Sequence, residues 1–293
     1  MNRRQFINRS AALLAVGSIA GQGMYSCSSD KTNKGRIGIQ LYSIKDELAK
    51  DFTGSLKKLS DIGYSSVEPY GFTKDDFFGH TMKELSNIVK DMGMTISGSH
   101  IWSSISVNNP TEKEWDFWKN VAGIMKSGGG KCAVQSSLPK AETVDDLKRI
   151  VSYFNHAGEI CKEEGVKFAF HNHTEVFSEI EGELILDYLI NNTDPELVFF
   201  QMDWGHTVNG GGDCLRILRD FPKRIALWHA SDFDAKSRKY TEVGKGSVPY
   251  KAMFELADLA LEQLIVEQET AGDIFDSCKV DFDYLKQFKW TKV

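Results

Sequence analysis

The sequence predicts an α/β fold, a (β/α)8 TIM barrel spanning residues 35–293, preceded by a separate N-terminal segment over residues 1–34. Three observations predict it. Short apolar runs of strand type alternate with amphipathic stretches eight times along the chain, the connections between them are short, and glycines stop several of the helical stretches. Strand–helix units joined this way form a parallel sheet with right-handed crossovers, and eight of them close into a barrel. A doubly wound sheet would carry a glycine-rich phosphate loop after its first strand, whereas Gly35-Arg36-Ile37-Gly38 precedes that strand. The chain of 293 residues, 41% hydrophobic and 26% charged, has ordinary globular composition.

The first strand is expected in Arg36 to Tyr42, and the first amphipathic helix in Phe52 to Ile62, with Leu56 and Leu59 on one face and Gly63 as its stop. Ser66-Val67-Glu68-Pro69 is the second strand. Thr81 caps a helix running to Met92, closed by Gly93, and Thr95 to His100 is the third strand. Thr111 opens a helix whose acidic first turn (Glu112, Glu114) suits the positive end of its dipole. Strand four is Lys131 to Gln135, and a long helix follows from Thr143 to Glu164. Strand five lies in the stretch Lys167 to Glu175, Glu183 to Asn191 is helical, Val198 to Asp203 is strand six, and Cys214 to Asp220 is a short helix. Ile225 to His229 and Gln263 to Glu267 are strands seven and eight, with helices over Tyr250 to Leu259 and Phe282 to Phe288.

Strand five is the most informative. Lys167-Phe168-Ala169-Phe170 ends abruptly in His171-Asn172-His173-Thr174-Glu175. Period-2 alternation sends His171 and His173 to one side and Asn172 to the other. Glu68, His100, His171, Asp203, His229 and Glu267 each end a different expected strand or sit just past it. In a barrel all of these point into one mouth, the face on which this fold places its chemistry. A mouth carrying His171, Asp203, His229 and Glu267 suits one divalent ion (Mn²⁺, Co²⁺, Zn²⁺ or Mg²⁺), since oxygen and imidazole donors without a thiol disfavour a soft-metal cage. His171 and His173 are both open as the strand-five ligand. Trp102, Trp204 and Trp228 could stack on a ring at the mouth or serve as packing.

The N-terminal segment reads as an export address. Arg3-Arg4-Gln5-Phe6 is a twin-arginine run, and the apolar stretch from Ala11 to Gly21 falls short of the roughly 20 residues a bilayer span needs. Met24-Tyr25-Ser26-Cys27 resembles a lipobox, with Cys27 as the lipid acceptor and Ser28 to Lys34 as tether. This makes the chain an expected Tat-type lipoprotein, periplasmic or membrane-anchored in a bacterium. Cleavage before Cys27 removes Arg3, Arg4 and Arg9 and no acid, which takes the formal charge from −6 to −9. That acidity, without a basic stripe, speaks against a nucleic-acid partner. Cys132, Cys161, Cys214 and Cys278 show no CxxC spacing, and no disulfide pair is named.

Several pieces in order carry a family resemblance: Gly38-Ile39-Gln40-Leu41-Tyr42-Ser43, Val67-Glu68, Gly98-Ser99-His100, His171-Asn172-His173 with Glu175, Met202-Asp203-Trp204-Gly205-His206, Trp228-His229-Ala230-Ser231-Asp232, Val243-Gly244-Lys245-Gly246 and Val266-Glu267. From Arg36 to about Phe288 the chain resembles the xylose isomerase-like barrel superfamily of sugar phosphate isomerases and epimerases, with its inosose dehydratases, keto-sugar lyases and endonuclease IV-type enzymes. The resemblance implies a metal held by Glu, Asp, His and Glu from strands five to eight, and Asp203, His229 and Glu267 match type for type. Strand five departs, since His171 stands where the epimerases place a glutamate. It further implies Glu267 as a catalytic base, with His173 or Glu175 supplying a second acid or base. Glu68, His100 and His206 would contact a sugar or keto-sugar around the mouth. Asp232 and Lys245 join the substrate-binding candidates, with Asp232 alternatively orienting His229 or starting a loop.

Three readings follow. The first is a metal-dependent isomerase or epimerase that abstracts a proton next to a carbonyl. A keto-glycoside lyase or hydratase on the same barrel is the alternative, because one base and one acid suffice for it. The reading from a different class is a non-catalytic sugar-binding lipoprotein.

Overall fold

The computed structural model describes residues 37–72, 74–103, 110–225, 227–256, 261–269 and 272–290. The expected signal segment and Cys27 therefore lie outside the described residues. The described residues build a (β/α)8 barrel. Its strands are β1 (Ile37–Gln40), β2 (Ser66–Glu68), β3 in two pieces (Thr95–Ile96 and Ser99–Ile101), β4 (Cys132–Gln135), β5 (Lys167–His171), β6 (Val198–Asp203), β7 (Leu227–Ala230) and β8 (Gln263–Val266). Every pairing in this sheet is parallel: β1 lies between β2 and β8, and the order continues through β7, β6, β5 and β4 to the second piece of β3.

The third strand, expected unbroken, is split at Ser97-Gly98. Its first piece pairs with β2 and its second with β4, so the ring closes through one interrupted strand. The His100 amide bonds the Pro69 carbonyl at 3.0 Å and the Ser97 amide bonds that of Val67 at 3.0 Å, carrying the β2 pairing past the break. Gly98 is required there by close approach, because a Cβ would meet the Cys132 carbonyl oxygen at 2.8 Å and Glu68 Oε1 at 3.1 Å.

The helices among the described residues are α1 (Lys45–Lys50), α2 (Phe52–Ile62), α3 (Met82–Asp91), α4 (Glu112–Ser127), α5 (Val144–Glu163), α6 (Ile185–Asn192), α7 (Trp204–Asn209), α8 (Cys214–Asp220), α9 (Tyr250–Phe254) and α10 (Ile274–Leu285). Three of the expected starts are caps in the structure, as Thr81, Thr111 and Thr143 each form a capping box with the acid three residues on. The last helix begins eight residues before the expected Phe282, because the Asp273 side chain accepts the Phe275 and Asp276 amides and starts it there. The first strand ends at Gln40 and turns into a 3-10 helix over Leu41–Ile44 instead of reaching Tyr42. Two small antiparallel ribbons, Glu179–Ile180 with Glu183–Leu184 and Asp232–Asp234 with Lys239–Thr241, have no counterpart among the expected elements.

The alternation along β5 sorts side chains to two sides. Phe168 and Phe170 pack outward on Phe154 of α5, with ring centroids 5.4 and 5.3 Å away. Ala169 instead joins Cys132, Val134 and Leu227, with Phe199 against them, in a small separate apolar cluster inside the ring. Two residues beyond Ala169, Leu227 and Phe199 along their strands come His171, His229 and Gln201, so a polar layer sits directly above this apolar plug. All four described cysteines are buried and free.

Candidate active site

The polar layer is dense and deeply buried. Gln40, Glu68, His100, His171, Gln201, Asp203, His229 and Glu267 all lie at 9% exposure or less. Strand register makes them neighbours, since Gln40 lies opposite Glu68, His171 opposite Gln201, and Asp203 opposite His229. The imidazoles of His100, His171 and His229 meet with ring centroids 4.6–4.9 Å apart.

Asp203 ends β6 and caps α7. Its Oδ1 accepts the His206 amide and the Ser231 hydroxyl, both at 2.6 Å, leaving Oδ2 for the site. Asn172, the residue that alternation turns away from the mouth, clamps the same position. Its Oδ1 accepts the Asp203 amide at 2.8 Å and its Nδ2 donates to the Asp203 carbonyl at 3.3 Å. Gly205 lets α7 approach β7 this closely, because a Cβ would collide with Ser231 Oγ.

Ligand atoms of His171, Asp203, His229 and Glu267 lie within 4.8 Å of one another. This is the four-residue set expected from the sequence. The chemistry of the set fits a divalent cation, with two imidazoles and two carboxylates. The hydrogen-bond pattern fits as well: Nδ1 and Nε2 of His171 and Oδ2 of Asp203 are buried without a hydrogen-bond partner. Native proteins seldom leave buried polar atoms orphaned, and a missing ion is one of the standard reasons. His171 and His173 are also within ligand distance of His206, so both strand-five histidines face donors.

Burial and charge set the protonation states. Burial, reinforced by the neighbouring histidines, pushes His171 well below the ordinary imidazole range, so it stays neutral and able to donate a lone pair. Burial also pushes His229 down, but the flanking Glu68 and Glu267 carboxylates outweigh it and raise the ring to about 10. Glu267 is buried too, yet its hydrogen bond to His229 and the charge there hold it below the usual carboxylate range. His100 and His173 are lowered, chiefly by burial.

A cavity of about 660 Å³ opens onto this layer, lined among others by Tyr42, Tyr70, His100, Trp102, His173 and Glu267. Beside it, His206 bonds the Tyr240 hydroxyl through Nδ1 and lies 3.4 Å from Glu269 through Nε2, with its ring 4.7 Å from that of His173. Burial and the nearby Glu267 raise Glu269 to about 7.

Several residues expected at the site fall elsewhere. Glu68 does not line the cavity; it is fully buried beneath His229, with Nε2 of that ring 2.7 Å from Oε2. Asp232 reaches neither His229 nor Lys245. Its two oxygens accept the backbone amides of Phe233, Gly244, Gly246 and Val248 at 2.9–3.1 Å, so it folds the loop after β7 around itself. Lys245 is exposed, 3.5 Å from Glu242, and Glu175 is exposed on a 3-10 turn. Trp204 and Trp228 are fully buried edge-to-face at 5.1 Å and serve as packing, whereas Trp102 is 52% exposed at the mouth. Sequence reasoning missed Gln40, Gln201, Tyr240 and Glu269. Glu269 was within reach, since it follows Glu267 at the same two-residue spacing that pairs His171 with His173.

The profile described as "Xylose isomerase-like TIM barrel" matches residues 56–277. An inosose dehydratase of Lactiplantibacillus plantarum is 23% identical over 269 residues, covering 78% of this chain and 87% of the relative. The inosose dehydratase of Geobacillus kaustophilus is 24% identical over 193 residues, covering 60% of this chain and only 60% of that relative's length. Among solved structures, a sugar phosphate isomerase/epimerase from Parabacteroides distasonis superposes with a TM-score of 0.78 at 27% identity, covering 88% of this chain and 97% of that one. The chain belongs to the xylose isomerase-like TIM barrel family.

Proposed function

We propose that this protein is a divalent-metal-dependent isomerase or epimerase that acts on a sugar or keto-sugar by removing a proton next to a carbonyl. The observation that carries the reading is the buried cluster of His171, Asp203, His229 and Glu267, with unpartnered nitrogens on His171 and an unpartnered oxygen on Asp203. Those four residues would hold the ion, whose chemistry there would be Lewis-acid polarisation of the substrate carbonyl and stabilisation of the charge that develops on its oxygen.

The protein's own groups do the proton work. Glu267 is an ionised carboxylate on the cavity wall, and His173, neutral through burial, lines the same cavity. Both are in the proton-accepting form, so either can take the proton from carbon and, once protonated, serve as the acid that returns it. His206 packs edge-on against His173 and is itself held by Tyr240 and Glu269, which fixes it beside the proposed acid–base pair. His100 remains on the wall as a substrate contact, whereas the exposed Glu175 stands outside the proposed proton transfer.

A second reading, dehydration or β-elimination from a keto-sugar or its glycoside, shares the first step. The inosose dehydratase relatives favour it, as does an imidazole in place of a second carboxylate. Incubation of the metal-loaded protein with a panel of keto-sugars and inososes in D2O, followed by proton NMR, tests both. Exchange with epimer formation supports the first, and exchange with loss of a hydroxyl supports the second. A panel that binds without any exchange would instead leave the non-catalytic sugar binder. We also propose that the protein is exported on its Arg3-Arg4 segment and lipidated on Cys27.

A further inference from the structure

Glu68 is engaged on both carboxylate oxygens deep in the barrel. Its Oε2 lies 2.7 Å from His229 Nε2 and accepts the Gln40 amide at 2.9 Å, while Oε1 accepts the Gln201 amide at 2.9 Å. His100 Nε2 lies 3.4 Å from Oε2. Each glutamine is itself fixed. Gln40 Oε1 accepts the Tyr42 amide at 3.1 Å, and Gln201 Oε1 faces His100 Nε2 at 2.9 Å.

These contacts decide how His229 is presented. An ionised carboxylate only accepts hydrogen bonds, so both glutamine amides must turn their NH2 groups toward Glu68, and His229 must hold a proton on Nε2. The other ring nitrogen, Nδ1, is hydrogen-bonded to Glu267 Oε2, 2.8 Å away, on the side of Asp203 and His171, and its proton is the one that an ion at the cluster would displace. A carboxylate that holds the far nitrogen of a ligand histidine fixes its tautomer and ring plane and makes the near nitrogen a stronger donor.

We infer that Glu68 is a positioning residue for the metal site: it locks His229 with Nδ1 facing the ion and adds a third buried negative charge behind the two ligand carboxylates. The inference rests on the metal reading above. Two glutamine amides and two imidazoles face Glu68, so among these four partners its charge is answered by histidine alone. Full burial and engaged oxygens keep it from the substrate, which separates this role from the wall contact expected from the sequence.

The test is ion binding, not turnover. Metal-free wild type, Glu68→Gln and Glu68→Asp are titrated calorimetrically with Mn²⁺ and Zn²⁺, and their Co²⁺ complexes are compared by visible absorption. Loss of such an outer partner costs about 10–100-fold in metal affinity, so Glu68→Gln is expected to bind that much more weakly, with an altered Co²⁺ band. Glu68→Asp, which keeps the charge and shortens its reach, is expected to fall between the two. Melting of the metal-free proteins shows that each variant is folded when titrated, and the isosteric Gln and the charge-keeping Asp guard against one of them failing to fold. Variants that match wild-type affinity within about twofold, against the 10–100-fold expected, with an unchanged Co²⁺ band, overturn the role of Glu68 alone. A wild-type chain that takes up no ion overturns the metal reading itself.

Discussion

His171 Nε2 lies 3.9 Å from Glu267 Oε2, beyond hydrogen-bond reach, and neither nitrogen of this 1%-exposed imidazole has a hydrogen-bond partner. An unpaired buried polar group costs about 1–3 kcal/mol. His171→Leu, similar in volume, should therefore leave the metal-free protein as stable as wild type or more so, by roughly 2–4 °C per kcal/mol recovered. The same variant should lose ion binding and at least about 100-fold in kcat/KM, the scale of losing one strong electrostatic group. Melting in chelator beside calorimetric titration checks both halves; a marked drop in melting temperature would show the imidazole to be a structural group.

Asp203 separates its two duties by oxygen. Oδ1 caps α7 and accepts Ser231, whereas Oδ2 is unpartnered. Asp203→Asn keeps the capping oxygen and turns an NH2 toward the cluster, so it should stay folded and bind metal at least about tenfold more weakly. Asp203→Ala also loses the cap, which adds about 1 kcal/mol of destabilisation. Equal melting temperatures for the two variants would contradict this division.

The rim aromatics give a binding prediction. Tyr42, Tyr70 and Trp102 pack on one another with centroids 5.1–6.2 Å apart, and Tyr42 and Trp102 are among the few large apolar side chains exposed. If a sugar ring stacks there, Trp102→Ala should raise KM several-fold, in line with about 0.5–1.5 kcal/mol for an aromatic contact, with a smaller change in kcat. A loss confined to kcat would place the indole elsewhere in the reaction.

Export is tested in cells. Labelled palmitate should appear on the wild-type protein and vanish in Cys27→Ala, while Arg3→Lys with Arg4→Lys should hold the chain in the cytoplasm. Label that persists without Cys27 would remove the lipoprotein reading.

The barrel and its four-residue cluster were legible because both follow from short-range pattern. The bounds of strand six and of the helix from Cys214 match to the residue, and strand-end position brings His171, Asp203, His229 and Glu267 to one mouth. What failed depends on pairing across the ring. Glu68 reads from sequence as another acid at a strand end, and nothing local reveals that Gln40, Gln201 and His229 enclose it from three other strands. Asp232 fails for the mirror reason, since four amides up to sixteen residues away claim its carboxylate. Chain termini of strands announce polar groups; their partners are set by closure.

Asp281 on α10 offers a prediction away from the site. It is buried, with Oδ1 accepting the Val243 amide at 2.7 Å and Oδ2 the Gln268 side chain at 2.6 Å. Burial, with Glu242 and Asp232 nearby, outweighs these bonds and raises the carboxyl to about 7, from an unfolded value of 3.8. A carboxyl raised on folding favours the folded state fully only while it is protonated, below about pH 4. That contribution is lost as pH climbs toward about 7, the folded value, and is gone above it. A tenfold difference in proton affinity between the folded and unfolded states corresponds to about 1.4 kcal/mol, so wild type should lose on the order of a few kcal/mol between about pH 4 and pH 8 through this one group. Asp281→Asn cannot ionise, so its melting temperature should fall less over that interval and should exceed wild type at the alkaline end. Parallel pH profiles for the two proteins would show that Asp281 ionises freely in the folded state.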